Sequence, residues 1–145
     1  MLKIIVVGKK TEPFIEAGIE NYEKRLGRQF KLNWVVVPNS NKADEAQMIL
    51  RNLKLDDFVI LLDETGKNLS SLELADLLMD KFNGARNIVF VVGGAFGVTD
   101  GVKKRADFIW SLSRLVFPHS IAWLILVEQL YRTEKILAKH PYHHF

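Results

Sequence analysis

The fold of this chain is decided by residues 87–97, which read NIVFVVGGAFG. Residues 87–92 are rich in β-branched residues, and such a run is typical of a strand buried on both faces of a sheet. The chain then turns at Gly93, Gly94 and Gly97, where the absence of a side chain lets the backbone approach a ligand closely. Ligands of open parallel sheets bind beyond the carboxyl ends of the strands, so this turn is a candidate binding site. A tight turn would also need glycines for its own geometry.

Strand-like and helix-like segments alternate on both sides of this stretch. The other predicted strands are residues 2–8, 30–37, 58–62 and 108–110. The predicted helices are residues 14–26, 43–53, 70–82, 99–105 and 121–139. Ser70 and Glu73 have the spacing of a capping box, and Thr99 can cap the short basic helix. This alternation predicts a single-domain α/β fold over residues 1–145, with a parallel sheet that carries helices on both faces.

Length and composition exclude several classes of protein. The chain has 145 residues, about the length of one domain, and its 48% hydrophobic and 26% charged residues indicate a folded globular protein. It has no cysteine, which excludes disulfides, thiol catalysis and thiolate metal sites. No apolar run reaches the length of a membrane span, and the first residues lack the pattern of a secretory signal. We therefore expect no membrane contact and a cytoplasmic location.

Positive charge is concentrated in the last third of the chain. Residues 1–100 carry 13 Lys and Arg against 14 Asp and Glu, a net charge of −1, whereas residues 101–145 carry 7 against 3, a net charge of +4. All four histidines also lie in the second part. A polyanion such as RNA is the natural partner of such a surface, since phosphate neutralisation supplies most sequence-independent affinity. A basic surface that is merely solvated is the alternative.

The residues after the fifth predicted strand have the composition of a ligand-binding loop. Ser111 to Phe117 combines small hydroxyls with apolar side chains, which suits an adenine ring held by backbone hydrogen bonds and packing. Neither serine of the loop stands in a G-x-S-x-G elbow, which disfavours a hydrolase. The sequence also lacks a G-x-G-x-x-G fingerprint and a P-loop, which disfavours a dinucleotide or triphosphate ligand.

The last six residues, HPYHHF, carry three of the four histidines. His140, His143 and His144 have a spacing that could hold a metal ion, but no carboxylate follows Glu134 to complete a closed site, so we expect no metal. Tyr142 lies beside these imidazoles, and an aromatic ring there can stack on a base that has left its helix. This composition favours an RNA-facing tail.

The predicted helix from residue 121 onward is apolar around most of its circumference. The run IAWLILV at residues 121–127 continues into Leu130, Tyr131, Ile136 and Leu137. Such a helix must be covered on more than one side. The parent sheet can cover one side and a second copy of the chain the other, so we predict a two-fold homodimer.

Six motifs in this order resemble the SPOUT class of methyltransferases, most closely the RlmH family of 23S rRNA pseudouridine methyltransferases. The motifs are VVGK at 6–9, LLDExG at 61–66, GGxxG at 93–97, SLS to FPH at 111–119, EQxYR at 128–132 and PYH at 141–143. The resemblance covers essentially the whole chain. It implies a parallel-sheet SPOUT fold with a C-terminal trefoil knot, a rare exception to the rule against threading. It also implies an obligate dimer that binds S-adenosylmethionine (SAM) in the knot.

Carried over position by position, the resemblance implies cofactor contacts around the glycine turn and in the loop after the fifth strand. With Gly93 of the turn included, the set is Leu62, Gly93, Gly94, Leu112, Ser113, Arg114, Leu115, Val116 and Phe117. Two positions depart from the family pattern. Many relatives carry Arg where this chain has Trp123, and a basic residue where it has His144.

The implied reaction is methylation of N3, a ring imide nitrogen, of a pseudouridine in large-subunit rRNA, either free or within the ribosome. The imide must lose a proton, and an imidazole can accept it because an ordinary histidine titrates near pH 6.5. His143 is the first candidate base and His119 the second. Arg132 and Tyr142 would place the nucleotide. The cations of residues 103–105 would meet phosphates.

Two other functions stay open at this point. One is a dimeric RNA-binding protein of the same SPOUT fold that has no catalytic activity. The other is a flavodoxin-like nucleotide binder, which would need the region of Gly93 to hold a phosphate. Affinity for SAM separates the first alternative from an enzyme, and the absorbance of the purified protein would reveal a bound flavin.

Overall fold

Five strands alternate with five helices in the computed structural model, which describes residues 2–8 and 12–139. The strands are β1 (Leu2–Val7), β2 (Leu32–Val37), β3 (Phe58–Asn68), β4 (Ile88–Val92) and β5 (Phe108–Ser111). The helices are α1 (Pro13–Glu23), α2 (Lys42–Arg51), α3 (Ser71–Asn83), α4 (Asp100–Arg105) and α5 (His119–Leu137). Each predicted strand and helix is present, which confirms the α/β class.

All five strands pair in parallel in one sheet of order β2-β1-β4-β3-β5. Parallel pairing requires a crossover after each strand, and here each crossover contains a helix that returns the chain to the amino edge of the sheet. The carboxyl ends of all the strands therefore meet at one edge. Because β4, β3 and β5 are neighbours, the segments that follow them lie side by side.

Both faces of the sheet are covered by helices. On one face Leu2, Ile4 and Val6 of β1 belong to a core with α1, α3 and α5, and on the other face Ile5 and Val7 belong to a core with α2 and α4. Successive side chains of a strand point to opposite faces, so a strand covered on both sides is apolar at every position. This explains the apolar runs at residues 4–7 of β1 and 88–92 of β4.

Two predicted helix caps are confirmed. The Ser70 hydroxyl accepts a hydrogen bond from the backbone N of Glu73 at 3.0 Å, and the Glu73 carboxylate accepts one from the backbone N of Ser70 at 2.8 Å. The hydrogen bond that the carboxylate accepts from the Ser70 backbone, followed by one with the Ser70 side chain, holds the pKa of Glu73 below its ordinary value. The Thr99 hydroxyl accepts from the backbone N of Val102 at 3.4 Å and so starts α4.

α5 packs on the sheet in contact with both α1 and α3. Its residues Trp123, Leu126 and Leu130 are buried in the core of that face. The contact with α1 is close, since a Cβ on Gly18 would lie 3.0 Å from Cδ1 of Leu124. Helices of the same chain therefore cover more of α5 than the sequence prediction assumed. The apolar circumference of α5 is for this reason a weaker argument for a dimer.

Two strand boundaries differ from the prediction by more than one residue. β3 continues six residues beyond Leu62, and Leu62 and Lys67 both pair with Trp110, so residues 63–66 bulge out of the strand. Residues 63–66 are polar apart from a glycine and carry no strand pattern, and the register between β3 and β5 skips them. Phe30 lies in a 3-10 turn, Arg28–Phe30, and β2 starts two residues later.

The bulge leaves no room for a side chain at Gly66. A Cβ there would lie 2.7 Å from the backbone N of Trp110 and nearer still to the carbonyl of Ile109. We expect Gly66→Ala to lower the free energy of unfolding by about 2 kcal/mol, because β5 must move. Gly101→Ala is the matched control, since the nearest atom to a Cβ there is the Thr99 hydroxyl at 3.7 Å. Urea unfolding measures both, and equal losses would contradict this account of the bulge.

Candidate functional site

A cleft of about 250 Å³ opens at the edge of the sheet where β3, β4 and β5 end. Its walls are the end of β3, the turn after β4, the loop after β5 and the first turn of α5. The lining residues are Leu62, Asp63, Glu64, Val92, Gly93, Gly94, Ala95, Gly97, Val98, Trp110, Ser111, Leu112, Ser113, Leu115, Val116, Phe117, His119 and Ala122. Eight of the nine predicted cofactor residues therefore meet in one cleft, and Arg114 is not among the lining residues.

The glycine turn after β4 is compact because the protein itself fills the space around it. The backbone N of Gly97 donates to the carbonyl of Gly94 at 3.0 Å, and Gly97 has a φ of +78°, a conformation that favours glycine. A Cβ on Gly93 would lie 2.7 Å from Cγ1 of Val98, and one on Gly94 would lie 3.0 Å from Cγ1 of Val7. Packing within the chain therefore accounts for glycine at positions 93 and 94.

The loop after β5 is shaped by its two serines. The Ser111 hydroxyl donates to the carbonyl of Ser113 at 2.8 Å, and the Ser113 hydroxyl accepts from the backbone N of Leu115 at 3.0 Å. These bonds hold the loop beside the glycine turn. Leu115 and Val116 are then 71% and 82% exposed while lining the cleft. The loop thus offers backbone groups and apolar side chains together, as an adenine ring requires.

Two carboxylates at the mouth of the cleft were not predicted as site residues. Asp63 and Glu64 start the bulge of β3, and Asp63 Oδ2 accepts hydrogen bonds from the backbone N of Thr65, at 3.1 Å, and from its hydroxyl. Their position directly after the predicted strand 58–62 is the sequence signal that could have identified them. They place negative charge where a cationic ligand group can meet it.

The sequence analysis also did not identify Trp110 as a site residue, because its sequence context is that of any buried strand position. Its side chain lines the cleft and is 3% exposed. Its indole N–H finds no hydrogen-bond acceptor among the described residues. Buried donors in proteins are nearly always paired, so this N–H is an exception among the described residues.

His119 is the predicted site residue that α5 brings to the cleft. It is the first residue of α5, it lines the cleft, and its ring centre lies 5.7 Å from that of Trp123 at an angle of 47°. Trp123 is buried in the core. Trp123, which stands where many relatives carry Arg, is therefore buried against His119 rather than exposed on the surface.

Of the other predicted catalytic residues, Arg132 is remote from the cleft of its own chain. Arg132 lies 13 residues after His119 on α5, about 20 Å along the helix at 1.5 Å per residue. Its guanidinium pairs with the Glu128 carboxylate at 2.6 Å. Tyr142 and His143 lie outside the described residues, as do the histidines at 140 and 144 that were considered as metal ligands.

Of the three cations of the basic helix α4, Arg105 is engaged with the protein itself, whereas phosphate binding by Lys103 and Lys104 stays a prediction. Arg105 donates to the carbonyls of Lys54 and Asp57 at 2.8 and 3.1 Å and pairs with Asp107 at 3.3 Å. These contacts tie the end of α4 to the segment before β3, at the edge of the sheet opposite the cleft. Arg105 is therefore a structural residue rather than a free phosphate ligand.

Fold and cleft together define an α/β protein with a small-ligand site at the carboxyl edge of a parallel sheet. The family model described as "Predicted SPOUT methyltransferase" matches residues 1–143. The chain belongs to this family of methyltransferases, which confirms the family to which the six motifs pointed. Membership implies that the protein uses a methyl donor.

Relatives with the same name match nearly the whole chain. Proteins named "Ribosomal RNA large subunit methyltransferase H" are 38% identical in Clostridium botulinum strain 657, 41% in Alkaliphilus oremlandii and 40% in Gloeobacter violaceus. The alignments cover 98% of this chain for the first two and 99% for the third, and 98% of each relative.

A solved structure supports the fold. The probable methylase family protein from Haemophilus influenzae Rd KW20 superposes with a TM-score of 0.61 over 99% of this chain and 70% of that protein, at 12% identity. At that identity the likeness concerns the fold alone. Within the described ranges, no helix has the length and apolar character needed to cross a membrane.

Proposed function

We propose that the protein is a SAM-dependent methyltransferase that modifies N3 of a pseudouridine in large-subunit (23S) rRNA. The observation that carries the proposal is the convergence of β3, the glycine turn and the loop after β5 on one cleft, in a chain of the SPOUT methyltransferase family. The names of the relatives support rRNA as the substrate. We further propose that residues 1–145 act as one domain with a C-terminal trefoil knot, in the cytoplasm, where ribosomes are found.

The groups that line the cleft fit SAM, which has a cationic sulfonium, an ammonium group, a carboxylate and an adenosine. Asp63 and Glu64 would attract the cationic groups. Leu115 and Val116 would cover the adenine ring, with backbone groups of the same loop bonding its edge.

SAM supplies the methyl group on a sulfonium that is already a strong electrophile, so the protein has to orient the acceptor and remove its proton. A base must take the proton from N3 before that nitrogen can form a bond to carbon. His119 lines the cleft and is held against Trp123. His143 stays our first candidate, because the tail that carries it can bring both an imidazole and the Tyr142 ring to the nucleotide.

The tail is too short to reach the cleft of its own chain. α5 extends from His119, in the cleft, to Leu137, about 27 Å further at 1.5 Å per residue. Fully extended, residues 140–143 span about 14 Å. His143 thus falls short of its own cleft, even before the chain bends back around the helix end. Arg132 lies toward the same end of α5, so both residues would serve the cleft of a second chain.

A homodimer with composite sites follows from this separation. If two α5 helices pack antiparallel about a two-fold axis, the end of each lies beside the start of the other. Large apolar side chains are exposed near the start of α5 in Leu115, Val116 and the 80% exposed Phe96, and Phe14 of α1 is 66% exposed. Such a group of exposed apolar residues is typical of an interface.

Mass spectrometry of rRNA tests the proposed reaction. In a strain that lacks the protein, we expect one N3-methylated pseudouridine to disappear from the large-subunit rRNA and to return when the gene is restored. Unmodified rRNA should accept the methyl group in vitro from the purified protein and SAM. If the rRNA is the same with and without the gene, the protein does not have this substrate.

Filling the cleft tests the SAM site. Ala122 lines the cleft from the first turn of α5, so Ala122→Phe would occupy the cleft without disturbing the glycine turn. We expect a loss of SAM affinity of at least about tenfold, measured by calorimetry. Ala43→Phe on the exposed side of α2 is the matched control and should bind SAM normally. A wild-type protein with no affinity for SAM would favour the RNA-binding alternative.

Removing residues 140–145 tests whether the site is composite. We expect the truncated protein to remain dimeric by light scattering and to bind SAM, but to lose methyl transfer. A mixture with the Ala122→Phe chain should recover about a quarter of the wild-type rate, because half of the dimers then contain one complete site of two. If purified mixed dimers are as inactive as both parents, the tail does not act across the interface.

A further inference from the structure

Four cations stand close together in a part of the sequence with no net positive charge overall. Lys24, Arg25, Arg28 and Lys31 lie within eight residues that contain no acid. They follow the end of α1 and continue through the 3-10 turn to the start of β2, at the amino edge of the sheet. All four side chains are exposed.

The fold joins these cations to the end of α5. The backbone N of Gly27 donates to Oε2 of Glu134 at 2.7 Å. The Arg25 guanidinium lies 4.6 Å from the ring centre of Tyr131, and the Lys135 ammonium lies 5.1 Å from the same centre. The resulting surface, here called the basic edge, consists of Lys24, Arg25, Arg28, Lys31, Lys135 and Lys139.

Most acids near the basic edge are engaged with other groups. The Glu23 carboxylate accepts a hydrogen bond from the indole N–H of Trp34 at 3.1 Å. The Glu134 carboxylate accepts from Gly27 and lies 3.5 Å from the Lys135 ammonium. Within residues 2–8 and 12–139, no carboxylate lies within 4 Å of the ammonium or guanidinium groups of Lys24, Arg28 and Lys31. A second, separate cleft lies beside Lys24, Arg28 and Lys31, and the two acids that line it are Glu23 and the exposed Glu20.

We infer that the basic edge binds rRNA phosphates beside the cleft of the partner chain. This inference rests on the proposed function. The basic edge shares the end of α5 with the tail, so a tail that reaches the partner's cleft brings these cations with it. RNA is favoured over a protein partner because no large exposed apolar side chain lies in residues 15–35 or 117–139 to serve as an anchor.

Salt dependence tests the inference. We would compare Arg28→Gln/Lys31→Gln with the matched control Arg51→Gln/Lys54→Gln, an exposed Arg and Lys at the end of α2 and after it, using filter binding of 23S rRNA from a strain that lacks the protein. For the first variant we expect the negative slope of log affinity against log salt concentration to become about 1.5 less steep, as the loss of two phosphate contacts requires. The control should keep the wild-type slope. SAM affinity should be unchanged in both.

An unchanged slope for Arg28→Gln/Lys31→Gln would overturn the inference, and so would an affinity loss with no change in slope. Methyl transfer is measured separately in the same samples. A wild-type protein that binds rRNA with the expected slopes but transfers no methyl group would support the basic edge while refuting the proposed reaction. Failure of the inference about the basic edge and failure of the proposed reaction therefore give different results.

Mixed dimers show which cleft the basic edge serves. In one mixed dimer, Ala122→Phe and Arg28→Gln/Lys31→Gln are in the same chain and the other chain is wild type. In the second, the same substitutions are divided between the two chains. Each dimer has one working cleft. We expect a raised KM for rRNA in the first dimer and a wild-type KM in the second, because the working cleft uses the partner's cations. The opposite result would overturn the assignment to the partner chain.

Discussion

Parallel pairing of all five strands is the constraint on which the rest of the structure depends. Each strand must be followed by a return path across a face of the sheet, so helices cover both faces and the central strands β1 and β4 are apolar at nearly every position. The same pairing collects the carboxyl ends of β3, β4 and β5 at one edge, where the cleft lies. It also directs α5 away from that edge, which separates the end of α5 from the cleft of its own chain.

The cleft and the core share residues, so binding and stability are not independent. Val98 packs against Gly93 of the turn, and Trp110 belongs to the core while it lines the cleft. The loop after β5 is held by bonds within the loop, which leaves its apolar side chains exposed. A rigid turn beside a loop with exposed apolar groups gives a cleft that is formed before a ligand arrives, which lowers the entropy lost on binding.

The sequence predicted the elements well because strand burial and helix capping are local signals. Apolar runs identified β1 and β4, and the Ser70 capping box located α3. Contacts between distant segments were not predictable in this way. The continuation of β3 past Leu62 depends on β5, the role of Arg105 depends on the segment before β3, and the basic edge depends on α1 meeting α5. The family motifs supplied what local patterns lacked, since eight of the nine residues that they predict as cofactor contacts line one cleft.

The length of α5 gives a stronger argument for a dimer than its apolar surface does. α1, α3 and the sheet already cover much of the helix, so burial alone does not require a second copy. The cleft and the end of α5 are separated by roughly the 27 Å of the helix. In the proposed dimer, an antiparallel pairing of two such helices would bring the end of each α5 to the cleft of the other chain. The same arrangement would place each basic edge beside a cleft that carries two carboxylates of its own, so the phosphates of the substrate would be held by the chain that does not hold the cofactor.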